Sequence, residues 1–245
     1  GGVDGMVRKD LYIKSPFSSF NYYTRGFRKG DYVILAARTG IGKTAMALNI
    51  AKHVAQTEQV LFFSLEMPEY KMRNRIISSM AGVETWKIES GTYTDAEIVR
   101  VAQAVEEAKN LKIEMVSNKR HIHEIMSISR RRCQENDIGM IIVDYVQRIK
   151  MQNNRNMQRY QMIGEISGEL QGLALELDVP VIALAQLSRA ADDREPDLVD
   201  LRESGDLEQD ARLIAFIHVD KANKMPGESR YPADLIIKKN DSGGL

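Results

Sequence analysis

One cysteine, Cys133, one tryptophan, Trp86, and no surplus of either charge characterise this chain of 245 residues, in which 34 basic side chains face 34 acidic ones. Each scarcity removes a class of protein. A lone thiol admits no internal disulfide, so the chain is not a stapled secretory scaffold, and it suits a reducing compartment. Charge balance removes the uniform field that draws a protein onto a polyanion, so any nucleic-acid contact must come from a local patch. No apolar run approaches the roughly 20 residues that cross a bilayer. The glycine-rich start, Gly1-Gly2-Val3-Asp4-Gly5, has no signal-peptide core. A soluble, cytoplasmic protein with no membrane partner is expected. Internal repeats and low-complexity tracts are absent too, and an apolar content of 43% suffices for one large domain whose sheet is buried on both faces.

Apolar runs of strand length recur at residues 32–37, 60–65, 111–116, 139–143, 179–185, 213–219 and 235–238. Their continuity, rather than alternation, is that of strands covered on both faces. Amphipathic stretches lie between them. The one at 94–110 opens with Thr94 and Glu97, a capping box in which each side chain satisfies an orphan N–H of the other's turn. Strand-helix alternation predicts an α/β fold with a mostly parallel sheet and helices on both faces. Residues 1–30 read as a lead-in arm and 31–245 as the domain proper. In such folds ligands bind beyond the carboxyl ends of the strands, so the residues just after each apolar run carry the candidate chemistry.

The first of these positions holds the strongest signal. Ala37-Arg38-Thr39-Gly40-Ile41-Gly42-Lys43-Thr44 stands between a strand and an amphipathic stretch that opens at Ala45, the context of a phosphate-binding loop. A glycine-containing turn there aims consecutive backbone N–H groups at one anion, and the helix N-terminus adds partial positive charge. Lys43 then reaches the β- and γ-phosphates and Thr44 ligates Mg²⁺. Ala37 stands where the motif usually has its first glycine.

Three further strand ends add functional groups. Glu66 follows the run 60–65, in range to orient the water that attacks a γ-phosphate, although it could equally cap the helix that Pro68 begins. Asp144 follows the run 139–143 and matches the carboxylate that holds Mg²⁺ in such sites. Gln186 ends the run 179–185 as a neutral group able to register a phosphate or its loss.

The stretch 145–164 contains no acidic residue but carries Arg148, Lys150, Arg155 and Arg159, with Tyr145 and Tyr160 at its edges. Such a loop suits the phosphates and bases of a single strand, though most charge runs are solvated surface. His121 and His123 lack partners at ligand spacing, and Trp86 reads as packing. Gly164, Gly168 and Gly172, four apart in a helical pattern, each cost about 1 kcal/mol against alanine. That cost suggests close packing on the sheet or on a neighbouring subunit.

Five segments together resemble the ATPase domain of the DnaB-type replicative helicases, within the RecA-like superfamily. They are residues 36–44, 63–67, 141–145, 179–189 and, most specifically, 200–211, Asp-Leu-Arg-Glu-Ser-Gly-Asp-Leu-Glu-Gln-Asp-Ala. The resemblance covers residues from about 15 onward. It implies a RecA-like P-loop fold, ATP and Mg²⁺ as ligands, Glu66 as the catalytic carboxylate, Asp144 as metal holder and Gln186 as the γ-phosphate sensor. It further implies a homo-oligomeric, hexameric ring on single-stranded DNA, with Arg202, Glu203 and Gly205 at the backbone. The collar domain through which the family meets primase and loader is not in this sequence.

Two departures accompany the resemblance. Where the family has Lys-x-Arg past its last strand, its arginine reaching into the neighbour's site, this chain reads Lys239-Asn240-Asp241, and no arginine follows Arg230. Lys239 keeps the family's nucleotide-side role, and either the arginine comes from elsewhere, the register is shifted by residues outside this sequence, or hydrolysis in trans is weak. Also, the chain ends at Gly243-Gly244-Leu245, where the family continues into further strand. On the missing arginine, a RecA-like regulatory ATPase that does not unwind DNA stands beside the helicase reading. A metabolite kinase would need a lid and an acceptor pocket that the sequence does not display.

Overall fold

The computed structural model describes residues 11–151, 157–188, 194–220 and 232–241, with residues 202–204 described by their backbone alone. Two short strands, β1 (Tyr12–Ile13) and β2 (Phe27–Arg28), flank helix α1 (Ser18–Thr24). The chain continues through β3 (Tyr32–Ala37), α2 (Lys43–Val54), β4 (Gln59–Ser64), α3 (Glu69–Ala81), α4 (Thr85–Ser90) and α5 (Asp95–Ala108). After these come β5 (Ile113–Ser117), α6 (Ile122–Glu135), β6 (Ile138–Asp144) and α7 (Arg159–Leu177). The described chain closes with β7 (Val181–Gln186), α8 (Gly205–Asp210), β8 (Leu213–His218) and β9 (Asp234–Asn240). Each of the seven apolar runs is a strand of the main sheet, displaced by no more than one or two residues.

The main sheet has the order β5-β4-β6-β7-β3-β8-β9, with β9 alone antiparallel to its neighbour. Side chains alternate across it. Tyr32, Ile34 and Ala36 of β3 join the layer under α6 and α7, with Ile125, Ile166 and Leu170. Val33 and Leu35 of the same strand join the opposite layer with Ile50 of α2 and Met72 of α3. Both faces are therefore apolar, which is why the strand runs show no polar alternation. The capping box at α5 forms as read: Glu97 N–H donates to Thr94 Oγ1 at 3.3 Å and Thr94 N–H to Glu97 Oε2 at 2.9 Å.

Within the lead-in arm, residues 11–30 pack against the α2 layer. Phe20 and Phe27 are buried with ring centroids 5.2 Å apart, and both join the layer of α2. Their apolar area explains the docking, and Gly26 enforces its path. At φ 105° it occupies the left-handed region, and an added Cβ would overlap the Ile13 carbonyl.

The glycine stripe of α7 divides. An added Cβ at Gly164 would overlap the Asp206 carboxylate of α8, so close packing does occur there. At Gly168 and Gly172 nothing lies within 4 Å of such a Cβ, and both line an open groove with Arg130, Glu165 and Glu169. Close packing on the sheet is thus ruled out for these two among the described residues. Two substitutions should shift stability in opposite directions in urea denaturation. Gly168→Ala should gain about 1 kcal/mol from helix propensity, whereas Gly26→Ala should lose at least about 2 kcal/mol to backbone strain and overlap.

Candidate functional site

The site is set by strand register. In the parallel pairings Ala37 stands opposite Gln186, and Ser64 opposite Asp144, so β3, β7, β4 and β6 end at one edge of the sheet. The chain leaving β3 turns through Gly40, φ 79°, and Gly42, φ 101°, conformations that a side chain disfavours. Gly42 caps α2 without a side-chain bond, and the first turn has no acidic residue. The first helical bond of α2 runs from Met46 N–H to the Gly42 carbonyl at 2.9 Å. The N–H groups of Lys43, Thr44 and Ala45 are the orphans of the helix start, free to bind an anion. The Ile41 N–H is used within the loop, donating to the Arg38 carbonyl at 3.3 Å.

Thr44 Oγ1 donates to Asp144 Oδ2 at 2.7 Å, across the intervening β7. Asp144 is buried, and its second oxygen, Oδ1, has no hydrogen-bond partner. A buried, unsatisfied carboxylate oxygen is costly. Burial accordingly raises the Asp144 pKa, against the lowering effects of Thr44 and Lys43. Burial also lowers that of Lys43, while Asp144 and Glu66 pull it back up. A hydroxyl and an orphan carboxylate oxygen form the hard oxygen donor set that suits Mg²⁺. The residues fit the metal that the sequence implies.

Glu66 is held on a short bend. Ser64 Oγ donates to the Met67 carbonyl at 2.6 Å, and Leu65 N–H to the Asp144 carbonyl at 2.8 Å. Its carboxylate opens into the basin and lies 3.6 Å from Arg148 Nη2. Gln186 Nε2 donates to Thr39 Oγ1 at 2.7 Å, which sets the amide beside the phosphate loop. Around these groups lies a basin of about 1200 Å³ that also takes in Lys52, Lys71, Arg75 and Trp86. Trp86, expected in packing, is 58% exposed.

Several contacts around these groups have no signature in sequence. Gln147 clasps the end of β7, its amide accepting from Gln186 N–H at 3.2 Å and donating to the Gln186 carbonyl at 3.2 Å. Arg38 Nη1 donates to the Leu187 carbonyl at 2.6 Å. Tyr145, read as a base-stacking group, has Lys43 Nζ 3.9 Å from its ring centroid. Only the pairing of β7 with both β3 and β6 brings these together, and a motif search cannot see it.

Comparison with known proteins agrees with this geometry. Residues 13–245 match the family described as DnaB-like helicase C terminal domain. The chain belongs to the DnaB-like helicase C-terminal domain family. It is 36% identical to the replicative DNA helicase DnaB of Geobacillus stearothermophilus over 94% of its own length, and spans about half, 52%, of that relative. Among solved structures, the ATPase domain of G40P superposes with TM-score 0.87 at 32% identity, covering 96% of this chain and 87% of that one. A DnaB-like replicative helicase solved for its interactions with primase gives TM-score 0.87 at 32% identity, covering 98% of this chain and 60% of that one. The fold is RecA-like, and a nucleotide is the ligand such an ATPase domain takes.

Against the DnaB-like pattern, the remaining predicted residues separate from the cradle. Arg202 and Glu203 fall in a 3-10 turn, Leu198–Ser204, and their side chains lie outside the described part, as does all of Arg155. Gly205 opens α8 at φ −52°, a helical value that any residue adopts, and an added Cβ would meet nothing within 4 Å. The 3-10 turn is tied to the nucleotide edge. Leu187 N–H donates to Ala37 at 3.0 Å, and Ser188 N–H to the Asp200 carbonyl at 3.1 Å. Lys239 lies apart from the basin of its own chain. Its ammonium donates to the Glu208 carbonyl at 2.9 Å and pairs with Asp241 at 3.4 Å.

Because Asp144 has a raised pKa when folded, the cost of its charge is absent below the unfolded carboxylate pKa and complete once pH exceeds the folded one. Asp144→Asn keeps the acceptor for Thr44 and removes that cost. Without nucleotide or metal, Asp144→Asn should therefore be more stable than wild type in urea denaturation at neutral pH, with the gap closing as pH falls through the carboxylate range.

Proposed function

We propose that this chain is the motor domain of a replicative DNA helicase, hydrolysing ATP with Mg²⁺ and translocating on single-stranded DNA within a homo-hexameric ring in the cytoplasm. The observation that carries this is the buried, half-satisfied Asp144 bonded to Thr44 at the foot of the phosphate loop. Arrangement and family membership agree.

In this reading the N–H groups of residues 43–45 and the Lys43 ammonium hold the β- and γ-phosphates, with Ala37 to Ala45 as the cradle. Mg²⁺, held through Thr44 and Asp144, supplies charge neutralisation on the phosphate oxygens. Glu66 accepts the proton of the attacking water, and its half-exposed bend leaves room for that water. Gln186 senses the γ-phosphate, and its loss is transmitted through Leu187 and Ser188 to the turn that carries Arg202, Glu203 and Gly205. Those residues, with Arg155, meet the backbone of the strand. Lys239 faces the neighbouring subunit's nucleotide.

Primase enters by analogy with the helicase solved for its interactions with primase, and a loader by the family resemblance. Both belong to the whole protein rather than to this half. A nucleotide-switched regulatory ATPase is the other reading. It draws on Asp241 where the family has arginine, and the relatives, named as replicative helicases, do not favour it.

Steady-state ATP hydrolysis with and without single-stranded DNA is the test. Turnover should rise with DNA, and Lys43→Ala should reduce it on the order of 10²-fold or more. Arg202→Ala should weaken strand binding and lower the slope of log K against log salt by about 0.7, one phosphate contact. Turnover indifferent to DNA would favour the regulatory ATPase.

A further inference from the structure

We propose that Arg148 is a catalytic residue of its own chain's site, setting its guanidinium on the γ-phosphate oxygens during transfer; this rests on the hydrolysis reading above. The basic stretch 145–164 suggests a DNA contact for Arg148, but the structure puts it at the nucleotide edge. Its Nη2 lies 3.6 Å from Glu66 Oε1, and its Nε donates to Tyr145 Oη at 3.0 Å. The same tyrosine ring has Lys43 Nζ 3.9 Å from its centroid and the Arg148 guanidinium carbon 5.6 Å from it. Tyr145 thus spaces two cations, one committed to the phosphates and one beside the carboxylate that activates water.

The backbone of Arg148 is equally constrained. It ends a 3-10 turn, Val146–Arg148, in which Val146 is buried and Gln147 clasps both backbone groups of Gln186. Arg148 N–H donates to the Tyr145 carbonyl at 2.9 Å. The arginine is therefore tied through its backbone to the Asp144–Tyr145 strand end on one side and to Gln186 on the other. A guanidinium has five N–H donors, so the bond to Tyr145 and the ion pair with Glu66 leave donors for a further oxygen. The other arginines are less well placed. Arg38 is bonded to Leu187 and Arg194 to Asp200, while Arg75 lines the basin and acts electrostatically on Asp144 rather than pairing with Glu66.

The chemical demand is specific. Water oxygen attacks the γ-phosphorus while the bond to the β–γ bridging oxygen breaks. Its electron pair leaves with ADP, Glu66 takes a water proton, and inorganic phosphate is formed. Negative charge is spread over the equatorial oxygens at that moment, and an arginine there is worth several powers of ten in rate. Asp241, paired with Lys239, cannot supply it, and Arg148 occupies a position from which it can.

The test uses the 245-residue chain without DNA, comparing wild type, Arg148→Gln, Arg148→Lys and Lys43→Ala. Turnover of ATP is measured together with binding of ADP and of ADP with aluminium fluoride, which mimics the transition state. Arg148→Gln should lower kcat on the order of 10³-fold. ADP affinity should stay within about threefold, while affinity for the aluminium fluoride complex falls in parallel with kcat. Arg148→Lys, which keeps charge but loses the planar fork, should fall between. Unchanged turnover and mimic affinity, with loss confined to strand binding, would make Arg148 a DNA contact and overturn the proposal. Equal losses for ADP and its aluminium fluoride complex would also overturn it, in favour of a structural role. Wild type no faster than Lys43→Ala would instead defeat the hydrolysis reading itself, and this proposal with it.

Discussion

The hydrogen bond from Thr44 to Asp144 is the contact on which the rest of the site depends, because it spans three strands and joins the two halves of the nucleotide cradle. It exists only because β3, β7 and β6 pair in parallel and end level. One residue of slip would turn Asp144 to the opposite face of the sheet. The apolar layers protect that register. Tyr32, Ile34 and Ala36 point one way and Val33 and Leu35 the other, so a one-residue slip would transfer every one of them between α7 and α2. Core packing therefore fixes the distance between a hydroxyl and a carboxylate.

The cost of that arrangement is electrostatic. Asp144 and Lys43 are both held against burial, each displaced toward its neutral form, and one Asp144 oxygen has no partner. A protein optimised for stability alone would place apolar groups here. Charge kept in an unfavourable medium is what a phosphate and a cation would relieve together, which supports the proposed role of both.

Much of this was legible beforehand, and the failures share a cause. Continuous apolar runs identified all seven main strands, since burial on both faces removes any competing pattern. Lys43, Thr44, Glu66, Asp144 and Gln186 come together at one edge of the sheet because each follows one of those runs directly. What depends on two distant segments was not visible. Gln147 differs from any surface glutamine only by standing opposite Gln186, and Tyr145 becomes a spacer between cations only when β6 lies near β3. Phe20 and Phe27 needed their contact with the α2 layer to mark residues 11–30 as packed. Gly168 and Gly164 are alike in sequence, and only α8 separates a crowded glycine from an open one.

Titration of a non-hydrolysable ATP analogue with and without Mg²⁺, in wild type and Asp144→Asn, tests the central claim most directly. If Thr44 and Asp144 form the metal side of one cradle, Mg²⁺ should tighten binding to wild type by about tenfold or more, about 1.4 kcal/mol, and should do little for the asparagine variant. Equal tightening in both proteins would contradict the account, because the buried carboxylate would then have no part in holding the metal.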